Sequence, residues 1–400
     1  MAGTLTVDTI QSDSSYASRI NVTSNIAFTS PVNFTGGMQL GGQDTTFGGM
    51  RNRIINGAMS IAQYGTSTTV ALGGNNGYAC DRFRCDSSVG TAITAAQSTS
   101  VVPTGFAYSL SYTAGTGTTA AGDISQIVHF IEGYNIADLG WGTANAQPVT
   151  LSFWARSSLT GSFGLTLENS ATDTQYVTTY SLPVANTWTK ITLTISAPTI
   201  GTWLSTNGRG IGIRWDMGVG TTLSKASTNA WNSVGASYGF GVTGAVKITQ
   251  NTGATFFITG VQLEKGSAAS AFEQLHYGHI LTLCQRYYYK SYEIGVTPGT
   301  NTSTGAISGR NWDTTSGRTS LPVTAHHKVE MRTTPTVVFY TIPGLAGSVS
   351  QGGVPTGHDG GLAVNATYSL TTKIIGGFDT ATACAASAFY NFHYTASAEL

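Results

Sequence analysis

The sequence predicts an all-β protein, and three observations carry that prediction. Strict two-residue alternation of apolar and polar residues recurs along the chain, most clearly in Val149 to Ala155 and Trp188 to Ile195. Glycine is abundant, at 50 of 400 residues, whereas proline occurs only 10 times, a balance that favours many short strands joined by tight turns. The 18 Tyr, 16 Phe and 7 Trp supply the core residues that a disordered chain lacks.

Residues 1–50 form the first predicted segment and differ from the rest of the chain. Their alternating runs are each too short to bury a face alone: Leu5 to Val7, Ile20 to Val22, Ile26 to Phe28, Val32 to Phe34 and Met38 to Leu40. Such runs become stable when identical copies wind together and bury their apolar positions against one another. We therefore expect a thin stem of several copies, and a disordered leader is the alternative. The first residues lack a basic region and an apolar core, so no secretory signal is expected.

Residues 51–275 predict one β-sandwich of jelly-roll type with about nine strands in two sheets. Arg53 to Gly57 and Tyr78 to Phe83 open the domain. The nine candidate strands that follow are Tyr108 to Tyr112, Ile124 to Phe130, Val149 to Arg156, Phe163 to Glu168, Tyr176 to Leu182, Thr187 to Ile195, Ile211 to Asp216, Tyr238 to Val242 and Thr255 to Glu264. Sandwiches of this kind resemble carbohydrate-binding modules. That similarity concerns the fold, and a fold alone does not give a function.

Residues 276–290 contain the one convincing amphipathic helix. One helical face carries Tyr277, Ile280, Leu281, Cys284 and Tyr288, and a capping box of Ser270 and Glu273 precedes it. A lone helix between two β-rich blocks is expected to be a joint that packs across the end of a domain.

Residues 291–400 predict a second, smaller β domain. Its strands are expected at Arg286 to Tyr292, Arg318 to Thr324, Thr336 to Ile342, Thr367 to Ile375 and Ala388 to Thr395. The Gly-rich stretch Gly344 to Gly361 predicts an exposed loop at a tip, where recognition residues are often found.

The charge pattern excludes several classes of partner. The chain has 19 basic and 19 acidic residues and a net charge of zero, so it has no electrostatic footprint for nucleic acid or an anionic membrane surface. Gly, Ser and Thr interrupt every long apolar window, so membrane insertion is not expected. Cys80 and Cys85 could form a disulfide if their turn brings them close, but buried free thiols are favoured.

The residues give no support for catalysis, a cofactor or a metal. A glycan hydrolase needs paired carboxylates, yet no two acidic residues between 87 and 263 stand at i, i+2, and no Gly-x-Ser-x-Gly motif occurs. We expect Asp81 and Arg82 to form a fixed ion pair. His326 and His327 are adjacent, so on a strand they point to opposite faces and a metal site would use at most one.

Binding is the chemistry that the residues favour. Aromatic faces pack against sugar rings while Asn, Thr and Gln bind hydroxyls. The candidate ligand contacts lie in Gly-, Ser- or Asn-rich loops, and core packing is an equal alternative for them: Trp141, Trp203, Trp231 and Trp312. The other tryptophans, Trp154, Trp188 and Trp215, lie on strand patterns and are expected in the core.

Several blocks of the sequence resemble segments of bacteriophage tail-fibre and receptor-binding proteins. They are Asn52 to Met59, Ile61 to Gln63, Asp81 to Phe83, Ile258 to Glu264 with Gly266, Phe272-Glu273, Tyr277-Gly278, Leu283 to Tyr288, and the ending Phe392 to Leu400. They frame residues 52–400 in the expected order. Because loops between such blocks vary, the resemblance does not specify the host ligand.

The resemblance implies a homotrimeric virion fibre that is assembled in the host cytoplasm and acts outside the cell. Residues 1–50 would bind other virion proteins of the tail, baseplate or capsid, and the distal β domain would bind a host surface glycan without turnover. A fibre-borne polysaccharide depolymerase is one alternative. A purely structural virion component, such as a capsid fibre or baseplate adaptor, is the other.

Overall fold

The computed structural model describes residues 39–40, 43–44, 50–70, 77–88, 93–116, 119–315, 317–352 and 361–400. Within the N-terminal segment, strand β1 (Gln39–Leu40) pairs with β2 (Gln43–Asp44). The predicted stem strands between residues 5 and 34 lie outside the described residues.

Within the described residues, the central part of the chain contributes fifteen strands. They are β3 (Ser67–Val70), β4 (Gly77–Cys80), β5 (Phe83–Ser87), β6 (Ile93–Ser98), β7 (Ser109–Thr113), β8 (Ser125–Glu132), β9 (Val149–Ser157), β10 (Gly161–Glu168), β11 (Thr174–Leu182), β12 (Thr189–Ile195), β13 (Arg209–Asp216), β14 (Ser224–Lys225), β15 (Trp231–Ser233), β16 (Gly241–Val242) and β17 (Thr255–Lys265). Short 3-10 turns lie at Gly133–Asn135, Ala137–Leu139, Thr221–Leu223, Gly235–Ser237 and Ile248–Gln250.

Thirteen of these strands form two facing antiparallel sheets, and β14 and β16 form a separate parallel pair. One has seven strands in the order β15-β11-β10-β13-β8-β5-β4, and the other has six in the order β12-β9-β17-β7-β6-β3. Rings from the two sheets meet between them: Phe153 lies 5.8 Å from Trp215, and Phe163 lies 5.9 Å from Phe256. The inward positions are those that two-residue alternation marks as apolar. The all-β class and the central sandwich are therefore confirmed.

The two opening segments of the sandwich have different structures, and one predicted strand differs from the observed one. Arg53 to Gly57 is a buried turn, because Asn56 adopts a left-handed conformation (φ 61°) and its side-chain amide bonds both the N–H and the carbonyl of Ile61. Tyr78 to Phe83 covers two strands, β4 and β5, and the turn between them. Of Tyr238 to Val242, only the last two residues form a strand.

Two glycines, Gly57 and Gly260, allow close packing around strand β17. A Cβ atom on Gly57 would lie 2.1 Å from the carbonyl oxygen of Val261, whose N–H donates to the Gly57 carbonyl at 3.0 Å. Gly260 has φ 62° at a bulge in β17, and a Cβ there would lie 2.6 Å from the ring of Phe106. Both positions require glycine, since any side chain would collide with these neighbours.

The predicted linking helix exists, but it is shorter than 276–290. Helix α1 spans Tyr277–Gln285, and Tyr288 already belongs to the next strand. Cys284 lies on the inner face of the helix, and Tyr287 lies two residues after its end. Both residues pack with Ile55 and Ile61 of the sandwich. The helix thus lies at the joint between the two β-rich parts of the chain.

The predicted capping box is wrong. His276 is the N-cap residue and makes no side-chain cap bond. Ser270 instead donates its N–H and hydroxyl to the carboxylate of Glu264, at 2.8 and 2.6 Å. The carboxylate of Glu273 accepts from the N–H of Asn52 at 2.7 Å. Both side chains are taken by distant partners, which a local pattern cannot reveal.

The C-terminal part forms a second sheet around one long strand. Its strands are β18 (Tyr288–Lys290), β19 (Ile307–Arg310), β20 (Arg318–His326), β21 (Thr336–Tyr340), β22 (Ser348–Gln351), β23 (Leu362–Tyr368), β24 (Ile374–Cys384) and β25 (Phe389–Ser397). Strand β25 is flanked along its first half by β19 and β22 and along its second half by β18 and β21. The core is aromatic, with Phe339, Phe378 and Phe392 in mutual contact.

Two predictions for this domain need correction. Thr367 to Ile375 is not one strand, because β23 ends at Tyr368 and β24 begins at Ile374. The stretch Gly344 to Gly361 is not a loop throughout, since it includes β22, in which Ser348 to Ser350 are buried. Residues 353–360 of that stretch lie outside the described residues.

The blocks that resemble phage fibres meet where the two domains join. Arg82 pairs with Glu399 and donates to the carbonyl of Phe130, and Gln63 donates to the carbonyl of Tyr288 at 2.9 Å. The predicted Asp81–Arg82 ion pair is wrong. The Asp81 carboxylate accepts from the N–H and the side-chain amide of Gln63, both at 2.6 Å, while Arg82 points to the other domain. These blocks build the junction.

No helix in the described part of the chain has the length and hydropathy of a membrane span.

Candidate functional site

Three of the four candidate tryptophans lie together at one end of the sandwich. Trp141 lies 4.7 Å from Trp203 and 5.3 Å from Trp231, and Trp203 and Trp231 are 5.2 Å apart, all in edge-to-face contact. Tyr176 of β11 adds a fourth ring, 5.4 Å from Trp231. Two loops, which carry Trp141 and Trp203, and the neighbouring strands β15 and β11 therefore assemble one aromatic cluster, so the loop expected around Trp231 is instead a strand.

The indole N–H groups of this cluster are all used inside the protein. Trp141 donates to the carbonyl of Gln147 at 2.8 Å, Trp203 to Ile200 at 3.0 Å, and Trp231 to Ser196 at 2.6 Å. Trp141 is only 6% exposed, and the other two are half-buried against the core. This geometry favours packing and loop anchoring. A ligand contact by these three residues stays a prediction.

Trp312 lies apart from that cluster and is far more exposed than its members. It lies in the C-terminal domain just after β19 and is 75% exposed. Its ring lies 5.2 Å from the guanidinium carbon of Arg310, which in turn lies 5.1 Å from the ring of Phe389. Phe389 is itself 45% exposed. We call Arg310, Trp312 and Phe389 the distal patch.

Strand pairing holds the distal patch in place. Arg310 and Phe389 are direct cross-strand partners on β19 and β25, so their side chains share one face of the sheet. Trp312 follows Arg310 by two residues, and the N–H of the intervening Asn311 donates to the carbonyl of Ala388 at 2.9 Å. The patch is exposed, yet both of its strands belong to a packed sheet.

The chain before the predicted tip loop borders the same patch. The N–H of Gly352 donates to the carbonyl of Phe389 at 2.9 Å, and Gln351 pairs with Tyr390 on the other side of β25. The side chain of Gln351 also accepts from the N–H of Ala385 at 2.9 Å. Trp312 and the last residues before 353 therefore lie at the same end of the distal domain.

A cavity of about 510 Å³ lies at the junction of the two domains. Stacked Tyr64 and Tyr78 line it, together with Arg84 and Glu399. Its charges already have partners: Arg84 pairs with Asp86 at 2.8 Å, and Glu399 pairs with Arg82. The cavity is a weaker ligand candidate than the distal patch, because a ligand would have to compete with these internal ion pairs.

Three buried carboxylates of the sandwich are bound by cations. The pairs are Glu132 with Arg286, Glu168 with Arg214 and Asp216 with Lys247, each at 2.6 Å. Asp216 also accepts backbone N–H bonds from Gly218, Val219 and Val242. These contacts fix the three carboxylates inside the sandwich, which suits a structural role.

The two adjacent histidines point to opposite sides, as alternation predicts. His326 is exposed at the end of β20, and His327 is 7% exposed against Tyr289 and Tyr394. Within the described ranges, no three His, Cys, Asp or Glu side chains come together in a way that could hold a metal ion.

The sequence marks Trp312 as a candidate but not its neighbours. Phe389 lies near the start of the strand predicted at Ala388 to Thr395, and no predicted strand includes Arg310. The available signal was weak, since only the long-range pairing of β19 with β25 brings them together.

The chain matches no family model and no curated protein. Among solved structures, the enzymatically active domain of tailspike protein 4 from bacteriophage CBA120 is 13% identical with a TM-score of 0.29, over 54% of this chain and 21% of that one. The family 11 carbohydrate-binding module of a cellulosomal cellulase from Clostridium thermocellum is 11% identical with a TM-score of 0.25, over 51% and 99%. A xylan-binding domain from Paenibacillus barcinonensis is 11% identical with a TM-score of 0.24, over 50% and 100%.

The chain thus spans about a fifth of the length of the tailspike domain that it matches. At these identities and TM-scores, the similarities assign no function to it.

Proposed function

We propose that this protein is a phage virion fibre that adheres to a host surface glycan without cleaving it. The observation that carries the proposal is the distal patch, where an indole 75% exposed stands on a packed sheet beside a second exposed ring. An indole face in this position can stack on a sugar ring, and its burial by a ligand would recover a large apolar area. A purely structural fibre has no such need for an exposed tryptophan.

The architecture supports an adhesin in a second way. The sequence blocks that resemble phage fibres form the junction, whereas the distal patch lies outside them, where such proteins vary. A fixed junction that carries a variable binding domain is what polyvalent adhesion requires. If three chains assemble through residues 1–50, three weak sites would act together and raise avidity by roughly 10² to 10⁴.

The pairing of buried carboxylates with cations supports adhesion over depolymerase activity. A retaining or inverting glycosidase needs one carboxyl group that holds a proton near neutral pH. Glu132, Glu168 and Asp216 each lie against a cation instead. Asp81, whose pKa burial raises to about 6, is 1% exposed and bonded to Gln63, so it is closed off from a ligand.

One experiment separates the three functions. Purified protein is incubated with a panel of extracted bacterial surface polysaccharides, and bound protein and released reducing ends are measured in the same tubes. Adhesion predicts binding to at least one polysaccharide with no release. Release of reducing ends would indicate a depolymerase, and the absence of both would indicate a structural component of the virion. Light scattering on the same sample tests the trimer.

A further inference from the structure

The guanidinium of Arg310 in the distal patch makes fewer polar contacts than its five N–H donors allow. It lies between two exposed rings, 5.2 Å from Trp312 and 5.1 Å from Phe389. Its Nε donates to the carbonyl of Ser387 at 3.2 Å, which fixes the plane of the group. The two terminal nitrogens have no hydrogen bond or ion pair to any residue within the described ranges.

The neighbouring arginine shows what an internally satisfied cation looks like in this domain. Arg318, at the start of β20, pairs with Asp313 at 3.4 Å although it is 60% exposed. Arg310 is less exposed than Arg318, yet no acidic residue of the described chain is paired with it. A half-buried fork of N–H donors, held in plane and flanked by rings, is arranged to receive an anion from outside.

We infer that the distal patch takes an acidic sugar, whose carboxylate or phosphate group binds the Arg310 fork while its ring stacks on Trp312. This inference rests on the proposed function and names the chemical class of the glycan. The two parts of the patch match the two parts of such a ligand. Aromatic faces suit the apolar side of a pyranose, and guanidinium suits a planar or tetrahedral oxyanion. A neutral sugar would leave the two terminal nitrogens of Arg310 without a hydrogen-bond partner among the described residues.

The competing explanation is that Arg310 only stiffens Trp312 through cation–π contact. The two explanations predict different effects of an Arg310 substitution on the binding of acidic and neutral sugars. A stiffening role affects neutral and acidic sugars equally, and lysine would retain part of it. An anion-binding role affects acidic sugars alone and is sensitive to salt.

The test compares the full-length wild type with Arg310→Gln, Arg310→Lys and the control Arg318→Gln. The probes are a uronic-acid polysaccharide, the same polymer with its carboxyl groups reduced to alcohols, a polysaccharide with phosphodiester groups, and neutral dextran. Affinity is measured by biolayer interferometry at low and high salt. Arg318→Gln is the matched control because its charge is already neutralised by Asp313.

We expect the wild type to bind one of the two acidic polymers about 10- to 100-fold more tightly than the reduced polymer, the range of a charge-assisted bidentate bond. Arg310→Gln should remove that difference and its salt dependence, Arg310→Lys should keep part of it, and Arg318→Gln should leave it unchanged. Preference for the phosphodiester polymer would identify phosphate as the anion, and preference for the uronic acid would identify carboxylate.

Equal wild-type affinity for acidic and neutral polymers would overturn the inference while leaving the proposed function in place. The same holds if Arg310→Gln weakens the binding of every polymer alike. If the wild type binds none of these polymers nor any in the wider panel, the proposed function fails together with the inference.

Discussion

The guanidinium carbon of Arg82 lies 3.6 Å above the centre of the Tyr287 ring. Arg82 belongs to the turn after β4 in the sandwich, and Tyr287 belongs to the turn after α1. Tyr287 in turn donates its hydroxyl to the carboxylate of Glu132 at 2.6 Å. The contact therefore ties the sandwich to the chain that leads into the distal domain, through residues of two blocks that resemble phage fibres.

Breaking the buried ion pair at this junction should be costly. Glu132 is 2% exposed and accepts two bonds from Arg286, at 2.6 and 2.9 Å. Arg286→Ala would leave this carboxylate buried without its cation, and we expect a loss of about 3 kcal/mol in the free energy of unfolding. Urea denaturation measures that loss.

The matched control is Lys373→Ala, which removes the exposed pair between Lys373 and Glu330. Both side chains of that pair are more than half exposed, so we expect a change of about 0 to 1 kcal/mol. Equal losses for the two variants would show that the junction is not held by its buried ion pair.

Trp141 and Trp312 should respond to truncation in opposite ways. Trp141 is buried among other rings, so Trp141→Ala should cost about 3 to 5 kcal/mol in the free energy of unfolding. Trp312 is 75% exposed, so Trp312→Ala should change it by about 0.5 kcal/mol or less. Thermal unfolding followed by circular dichroism checks both. A large loss for Trp312→Ala would mean that Trp312 packs rather than binds.

His327 should make the protein sensitive to acid. Its ring is 7% exposed, and burial followed by the nearby His326 lowers the pKa of His327 to about 4. The unfolded chain has a pKa near 6.5. Because the pKa is lower in the folded state, the contribution of neutral His327 to the free energy of unfolding is complete above about pH 6.5. It is lost as the pH falls toward 4.

We expect His327→Phe to remove that loss, so that its melting temperature exceeds the wild-type value at pH 5 and differs less at pH 7.5. Asp81 acts in the opposite direction, because burial raises its pKa to about 6. The contribution of protonated Asp81 to the free energy of unfolding is lost as the pH rises from about 4 to 6. Asp81 is present in both proteins, so its effect cancels in the comparison. A pH-independent difference would contradict the assignment to His327.

The cysteines should be unreactive in the folded protein. All four are buried free thiols, and burial raises the pKa of each. Cys80 lies opposite Phe83 and Cys85 lies opposite Gly77, so the two are not cross-strand partners. Titration with a thiol reagent should detect none in the native state and four after denaturation. Two missing thiols after denaturation would reveal a Cys80–Cys85 disulfide.

Alternation predicted the sandwich well where strands are long and one face is buried. Val149 to Arg156 and Thr255 to Glu264 match β9 and β17 to within one residue at each end. Local sequence patterns failed where a side chain bonds a residue outside the pattern. The side chains of Ser270 and Glu273 suggested a helix cap, but Glu264 and Asn52 bind them. Strands β3 and β6 were missed because their Ser-, Thr- and Ala-rich sequences lack a strong apolar signal.

The candidate site was predictable only in part for the same reason. Trp312 stands out in the sequence because a large aromatic residue in a polar stretch needs an explanation. Arg310 and Phe389 become neighbours only through the pairing of two strands far apart in the chain. The packing of Trp141, Trp203 and Trp231 into one cluster also depends on where two loops meet strand β15.

The most direct test of the central claim is the affinity of the wild type and Trp312→Ala for the polysaccharide that the wild type binds best. Trp203→Ala, which alters the other aromatic cluster, serves as the control. The account predicts that Trp312→Ala stays folded and loses up to about tenfold in affinity, since stacking on an aromatic ring contributes about 0.5 to 1.5 kcal/mol. Trp203→Ala should keep wild-type affinity once it is folded. Undiminished binding by a folded Trp312→Ala variant would contradict the claim that this protein adheres through its distal patch.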